Sequence, residues 1–282
     1  VLNSVGRRLE GGGVRAARAL VSLDEVELGD HVCCLTDRYA SFAEDARAYA
    51  ADGALYGDKI VVVGPLGAQG GTAGTGLLPE TAVLLDFPGG VDSASLLSAV
   101  RREARTAAHE GFRSVRVLTE RVPATAPGAA DELLAQELEL DEFASETGAI
   151  VVCAFRRSQW DALTLEHVAS VHPHEVGMRA ERPTFRMFST GTGRWSVDGV
   201  IDSQGASAFN AALRAAMRSA PAVTLEFEKL AMIDAAGMHA LVDAARHVPD
   251  GRIRVEGANE LVRLCWELAG YATDGVPVVM AA

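Results

Sequence analysis

No apolar run in the chain approaches the roughly 20 residues that cross a bilayer. No apolar stretch follows Arg7 and Arg8 near its start, so neither a membrane span nor a secretory leader is expected. Runs of basic residues are also missing. Lys and Arg number 26 against 38 Asp and Glu, a net charge of −12. Binding a phosphate backbone needs a basic patch, so a nucleic-acid partner is not expected. The cysteines contain no CxxC pair, which removes the usual spacing of a structural zinc site. Cys33, Cys34, Cys153 and Cys265 each lie in an apolar run and read as reduced core residues. A cytoplasmic location follows as the expectation. Catalytic signatures are missing too: there is no G-x-S-x-G, no H-E-x-x-H and no paired carboxylates in a convincing setting. The expectation is therefore a protein that is not an enzyme and carries no cofactor or metal.

What is present is apolar and regular. With 282 residues and 49% hydrophobic content, the chain can bury one large core or two ordinary ones. Residues 1–20 are poor in large apolar side chains and hold Gly11-Gly12-Gly13; they read as a flexible lead-in, with a short helix over Val14–Leu20. Beyond Gly29-Asp30, strand-like runs at His31–Thr36, Lys59–Gly64, Ala82–Phe87, Ser114–Thr119 and Ala149–Phe155 alternate with helical stretches at Ser41–Leu55, Ser93–Glu110 and Ala129–Thr147. Continuous β-branched strands between helices predict a parallel sheet covered on both faces. On the third helix, Glu137, Glu139, Asp141 and Glu142 make a dense acidic stretch, which predicts a solvated face.

Pro183 and the turn-like Thr190-Gly191-Thr192-Gly193 break the pattern within Arg182–Arg194. The boundary falls there, giving a first domain at 21–190 and a second at 191–282. The second opens with a strand at Trp195–Ile201 and a helix carrying Phe209, Leu213, Ala216 and Met217 on one face. Val223, Leu225 and Phe227 then alternate with Thr224, Glu226 and Glu228, as in a half-buried strand. Asn259 is placed to cap a later helix, and Val276–Met280 reads as the last strand.

From about Trp195 onward, the segments GVIDSQGASAFNAALRAAM and LEFEKLAMIDAAGMHALVDAA resemble the STAS fold of bacterial anti-sigma-factor antagonists. The resemblance implies a partner-binding loop at Asp234-Ala235-Ala236-Gly237-Met238. In phospho-regulated members this loop reads Asp-Ser-Ser-Gly, and a serine kinase that is also the anti-sigma factor phosphorylates it. A phosphate adds about −1.5 to −2 charge where the partner docks. Ala235 and Ala236 have no hydroxyl to accept one, whereas Asp234 can still cap the following helix and Gly237 can still allow a tight turn.

The segment LGDHVCCLTDRYASFAEDARAYAADGALYGDKIVVVG, with FRSVRVLTERVP, AIVVCAFRRSQW and EHVASVHPHEV later, resembles the MEDS domain, a sensory module named from methanogen and methylotroph regulators, over about Leu23–Phe188. That family is similar in architecture to RecA and clock ATPases. The resemblance implies an α/β fold with a RecA-like parallel sheet, followed by the smaller α/β STAS domain. Ligands of parallel sheets bind beyond the carboxyl ends of the strands, and Glu120 and Arg156 lie at such ends. With His31, Cys33 and His172 they are the candidate sensory pocket for a small ligand. His172 and His174 flank Pro173, a weak metal signal. Two alternatives stay open. One is a nucleotide-binding protein, for which the glycine-rich stretch after Gly64 has no lysine from Pro65 to Glu80 to reach the phosphates. The other is a non-catalytic oligomerisation scaffold, which leaves a homodimer open. The expected partner is an anti-sigma factor of the serine-kinase type.

Overall fold

The structure is a computed structural model that describes residues 16–37, 39–64, 78–85, 87, 93–124, 126–177 and 182–281. Its first unit runs β1 (Arg18–Leu20), β2 (His31–Thr36), α1 (Tyr39–Leu55), β3 (Lys59–Val63), β4 (Val83–Leu85), α2 (Ser93–Glu110), β5 (Val115–Arg121), α3 (Ala129–Thr147), β6 (Ile150–Arg156), α4 (Ala162–Ser170) and β7 (His174–Val176). The strands form one seven-stranded sheet in the order β1-β7-β2-β6-β5-β3-β4, parallel throughout. Residue parity divides its core in two, because successive side chains point to opposite faces. Cys33, Val61, Val117, Val151, Cys153 and Phe155 meet α2 and α3 on one face. Val32, Cys34, Ile60, Val62, Leu118 and Val152 meet α1 on the other.

Two expectations change here. Arg18–Leu20 is not part of a helix. It is an edge strand tied to the chain beside β7 by a bond from the Arg18 N–H to the Pro173 carbonyl (3.0 Å), with Leu20 buried. The glycine-rich stretch after Gly64 lies, from residue 65 to 77, outside the described residues.

The second unit runs β8 (Phe185–Gly191), β9 (Arg194–Ile201), α5 (Ala206–Ser219), β10 (Ala222–Glu226), β11 (Leu230–Ile233), α6 (Ala235–His247), β12 (Arg252–Glu256), α7 (Glu260–Leu268) and β13 (Val278–Met280). β9 meets β10 along its first half and β11 along its second; β10, β12 and β13 continue the parallel sheet. β8 joins antiparallel to β9. The segment Thr190–Gly193 thus holds the end of β8 and the turn Thr192-Gly193 of a hairpin, and the second sheet begins at Phe185 rather than past 190. The glycines serve that turn: Gly191 and Gly193 sit at φ of 156° and 65°, where a side chain is disfavoured.

α3 holds the two units together. Leu133 to Ala144 is buried at almost every position, charged ones included. One side of the helix packs on the first sheet through Leu133, Leu140, Phe143 and Ala144. Leu134, Ala135 and Leu138 join the same apolar cluster as Phe185, Met187, Phe209 and Leu213 of the second unit. The helix stops where Gly148 adopts the left-handed conformation and returns its N–H to the Ala144 carbonyl.

Candidate functional site

Five elements bring a polar cluster into the middle of this sandwich. His31 opens β2, and Cys153 lies on the same face of neighbouring β6, their strands in register at His31 and Val151. α3 places Glu137 and Asp141 one turn apart, so both project from one side of the helix. Arg121 ends β5 on the same face, and His172 follows α4 just before β7. His31, Glu137, Asp141 and His172 are 0% exposed, so every charge here is settled by its neighbours rather than by water.

The distances define the arrangement. The His31 and His172 rings lie with centroids 4.0 Å apart. Both Nε2 atoms are 3.3 Å from the same oxygen, Glu137 Oε2. His31 Nε2 is also 3.4 Å from Cys153 Sγ. Glu137 Oε1 faces Arg121 Nε at 2.6 Å, and Arg121 Nη1 donates to Gln136 Oε1 at 3.0 Å. Behind His31, Nδ1 lies 3.5 Å from Asp141 Oδ1. Behind His172, Nδ1 is 2.6 Å from the Val168 carbonyl. Burial works to raise the Glu137 carboxyl, but the Arg121 guanidinium beside it outweighs that and holds the group well below the usual carboxylate range. Burial likewise opposes charge on His31, yet Asp141 and Glu137 raise it. Burial and the neighbouring His31 push His172 down to about 4, and burial pushes the Cys153 thiol well up.

The cluster also touches the second unit. The Ser189 N–H of β8 donates to Asp141 Oδ2, whose partner oxygen faces His31. Arg186 of β8 donates through Nη1 to the His172 carbonyl (2.7 Å) and the Ala169 carbonyl (2.9 Å), and through Nη2 to Glu175 (2.9 Å). The loop that presents His172 is therefore held by the second sheet.

The five sequence-predicted pocket residues do not form one pocket. His31 and His172 come together. Cys33 shares their face of the sheet, but burial raises its thiol well above the ordinary value and it packs within the apolar core. Glu120 and Arg156 pair with each other on the opposite face. Parity separates them: Glu120 lies one residue from Arg121 and Arg156 three from Cys153, and an odd step reverses the side chain. Two surface hollows, of about 470 and 450 Å³, lie against Leu84 and Phe87 beside α2 and between α2 and α3 near Phe112 and Phe143; none of the five residues lines either. His172 and His174 also diverge, since His174 Nε2 sits 2.9 Å from Asp30 Oδ1. Glu137 and Asp141 are not on a solvated face. They are the acidic half of the cluster, which the acidic run on the helix did not reveal.

In the second unit, Asp234 caps α6, its Oδ1 accepting from the Gly237 N–H at 2.9 Å. Ala235 is exposed and Ala236 half-buried. Met238 is buried among the core residues, so it does not belong to the presented surface. Gly237 is not needed for a tight turn. A Cβ there would come within 2.6 Å of Ile201 Cγ2 and 2.7 Å of Ile233 Cγ1, so glycine lets α6 press onto β9 and β11.

Two family models match the chain. The model described as the methanogen/methylotroph, DcmR sensory domain (MEDS) matches residues 30–173, just over half the chain. The chain belongs to the MEDS family. The model described as the Mlab, STAS domain matches residues 188–279, so a STAS domain follows the MEDS domain. A search of solved structures matches the unphosphorylated form of the anti-sigma factor antagonist SpoIIAA, with 15% identity, a TM-score of 0.26, and coverage of 35% of this chain and 89% of that one. No curated protein matches. The buried cluster lies within the MEDS domain, and the capped α6 lies within the STAS domain. Among the described residues, no helix is long and apolar enough to cross a membrane.

Proposed function

We propose that the protein is a cytoplasmic, non-catalytic signalling regulator in which the MEDS domain senses a small ligand and thereby controls partner binding by the STAS domain. The observation that carries this reading is the double engagement of α3. Its Asp141 faces His31 of the sensory sheet and accepts from Ser189 of the STAS sheet. A change around the cluster alters a helix that both cores share, which is a physical route between two sites rather than mere proximity. The output surface is the start of α6, where Ala235 and Ala236 lie at a capped helix terminus and no serine is available for phosphorylation. Control of docking then passes to the MEDS domain. The partner that suits this surface is an anti-sigma factor of the serine-kinase type, and no nucleic acid is involved.

Titration of the full chain against kinase-type anti-sigma factors tests the reading. Binding should occur, and Ala236→Asp, which puts a charge on the docking surface, should weaken it about tenfold or more. Absence of binding to every such factor, or binding indifferent to Ala236→Asp, would overturn it in favour of a scaffold.

A further inference from the structure

We propose that His31, Glu137, Cys153 and His172 form a four-donor site for a transition-metal dication of the zinc type, enclosed beneath α3. This site stands apart from the signalling reading, since a metal can be held whether or not the STAS surface binds a partner.

Convergence is the first support. One donor atom from each residue lies within 4.8 Å of all the others, and all four residues are buried. Ligand bonds of about 2.0–2.3 Å to a tetrahedral zinc place neighbouring donors roughly 3.3–3.7 Å apart. The separations of Glu137 Oε2 from each Nε2, at 3.3 Å, and of His31 Nε2 from Cys153 Sγ, at 3.4 Å, fall in that range.

Proton placement is the second. The Val168 carbonyl can only accept, so His172 Nδ1, 2.6 Å away, carries the ring proton. Nε2 of the neutral ring is then a lone pair. It faces Glu137 Oε2, a second lone pair, and neither atom has a hydrogen bond of acceptable geometry. Two acceptors turned toward each other in a dry interior repel unless a cation lies between them. His31 adds a second ring turned the same way, with the Asp141 carboxylate behind Nδ1 and Nε2 directed at both Glu137 and Cys153. A carbonyl or carboxylate behind each imidazole is the usual support of a metal-bound histidine, fixing its tautomer and raising its basicity.

Charge and donor type complete the case. The Glu137, Asp141 and Cys153 thiolate charges balance Arg121 plus one dication. Loading the site releases the Cys153 proton to solvent, together with any proton held on His31 Nε2. Arg121 engages Oε1 of Glu137 and leaves Oε2 to the site. Imidazole and thiolate together disfavour magnesium and calcium and favour zinc or its four-coordinate neighbours. With four protein donors, the site has the closed form of a structural centre.

The test uses the full chain, made without a polyhistidine tag and refolded in the presence of Zn²⁺ or Co²⁺. After dialysis, about one equivalent of zinc should remain by elemental analysis. The cobalt form should show intense visible bands of four-coordinate geometry and a near-ultraviolet thiolate charge-transfer band. Cys153→Ser should abolish that last band while keeping the far-ultraviolet circular dichroism. Asp141→Asn, which removes the charge behind His31 while an amide oxygen can still accept from the Ser189 N–H, should weaken zinc about 10–100-fold in chelator competition. Folded wild-type protein holding less than about a tenth of an equivalent of either metal overturns the site. So does a cobalt spectrum unchanged in Cys153→Ser. If a variant fails to fold, the wild-type stoichiometry and spectrum decide alone.

Discussion

The MEDS and STAS domains stabilise their interiors by different means. The first unit buries Asp30, His31, Asp58, Lys59, Arg116, Glu120, Arg121, Glu137, Asp141, His172, His174 and Glu175. In the STAS domain the buried polar side chains among the described residues are Arg186, Ser189 and Ser196, all on the β8–β9 hairpin, and the first two bond to MEDS groups. The rest of its core is apolar, with Phe209, Leu213, Leu225, Leu241 and Val255 at its centre. Desolvating a charge costs several kcal/mol, and a pair recovers this only with good geometry. An all-apolar core of similar volume is no less stable. The concentration of buried charge in one domain therefore points to a task there beyond folding.

Substitutions in the two interiors sharpen this contrast. Glu137→Ala should destabilise the protein by about 3–5 kcal/mol in urea denaturation, because Arg121 is left buried without its counter-charge. Phe209→Ala should cost a similar amount, about 3–5 kcal/mol, through the cavity it leaves. The informative point is the shape of the curves. With α3 common to both cores, each substitution should move one transition seen alike by probes in either domain. Two separated transitions would mean that the cores fold independently.

A smaller effect concerns acid. Asp58 is wholly enclosed and pairs with Arg113 and Arg116, each at 2.8 Å. Burial works to raise its carboxyl, but the two guanidinium groups prevail and hold it below its ordinary value. Its contribution is thus complete above the unfolded value of about 3.9 and is lost as pH falls through the lower folded value. Asp58→Asn should cost roughly 1.5–3 kcal/mol at neutral pH and flatten the acid limb of the stability profile. An unchanged limb would show that other carboxylates govern it. The smallest effect is expected at Arg218–Glu132, a surface pair between the domains (2.8 Å, with side chains 50% and 33% exposed). Arg218→Ala should change stability by less than about 1 kcal/mol. A larger loss would mean that the domains depend on their rim rather than on α3.

Much of the fold was legible in the sequence. The β-branched run at Lys59–Val63 and the alternation at Val223–Phe227 announced their strands, and Asn259 caps α7 as its position suggested, accepting from the Val262 N–H at 3.0 Å. The helix caps and sheet strands are local consequences of residue type. The site was only half legible. His31 and His172 were singled out, but Glu120 and Arg156 were grouped with them although strand parity sends those two to the other face. Glu137 and Asp141 were missed because an acidic stretch on a helix is read against one solvent-facing side. α3 has no such side over most of its length. The one signal for this is that Leu133, Leu134, Leu138, Leu140 and Phe143 are spread around the helix rather than along a stripe.

The sharing of α3 has a consequence for ancestry. A STAS domain joined to its neighbour by a linker can be shuffled between proteins as a cassette. Here Leu134, Ala135 and Leu138 complete the apolar cluster of the STAS domain. A foreign STAS domain spliced on after residue 184 would meet a helix shaped for Phe185, Met187 and Phe209. Such a chimera should need compensating changes on α3 before it is soluble, so the two halves of this chain are expected to have diverged together, as one inherited unit.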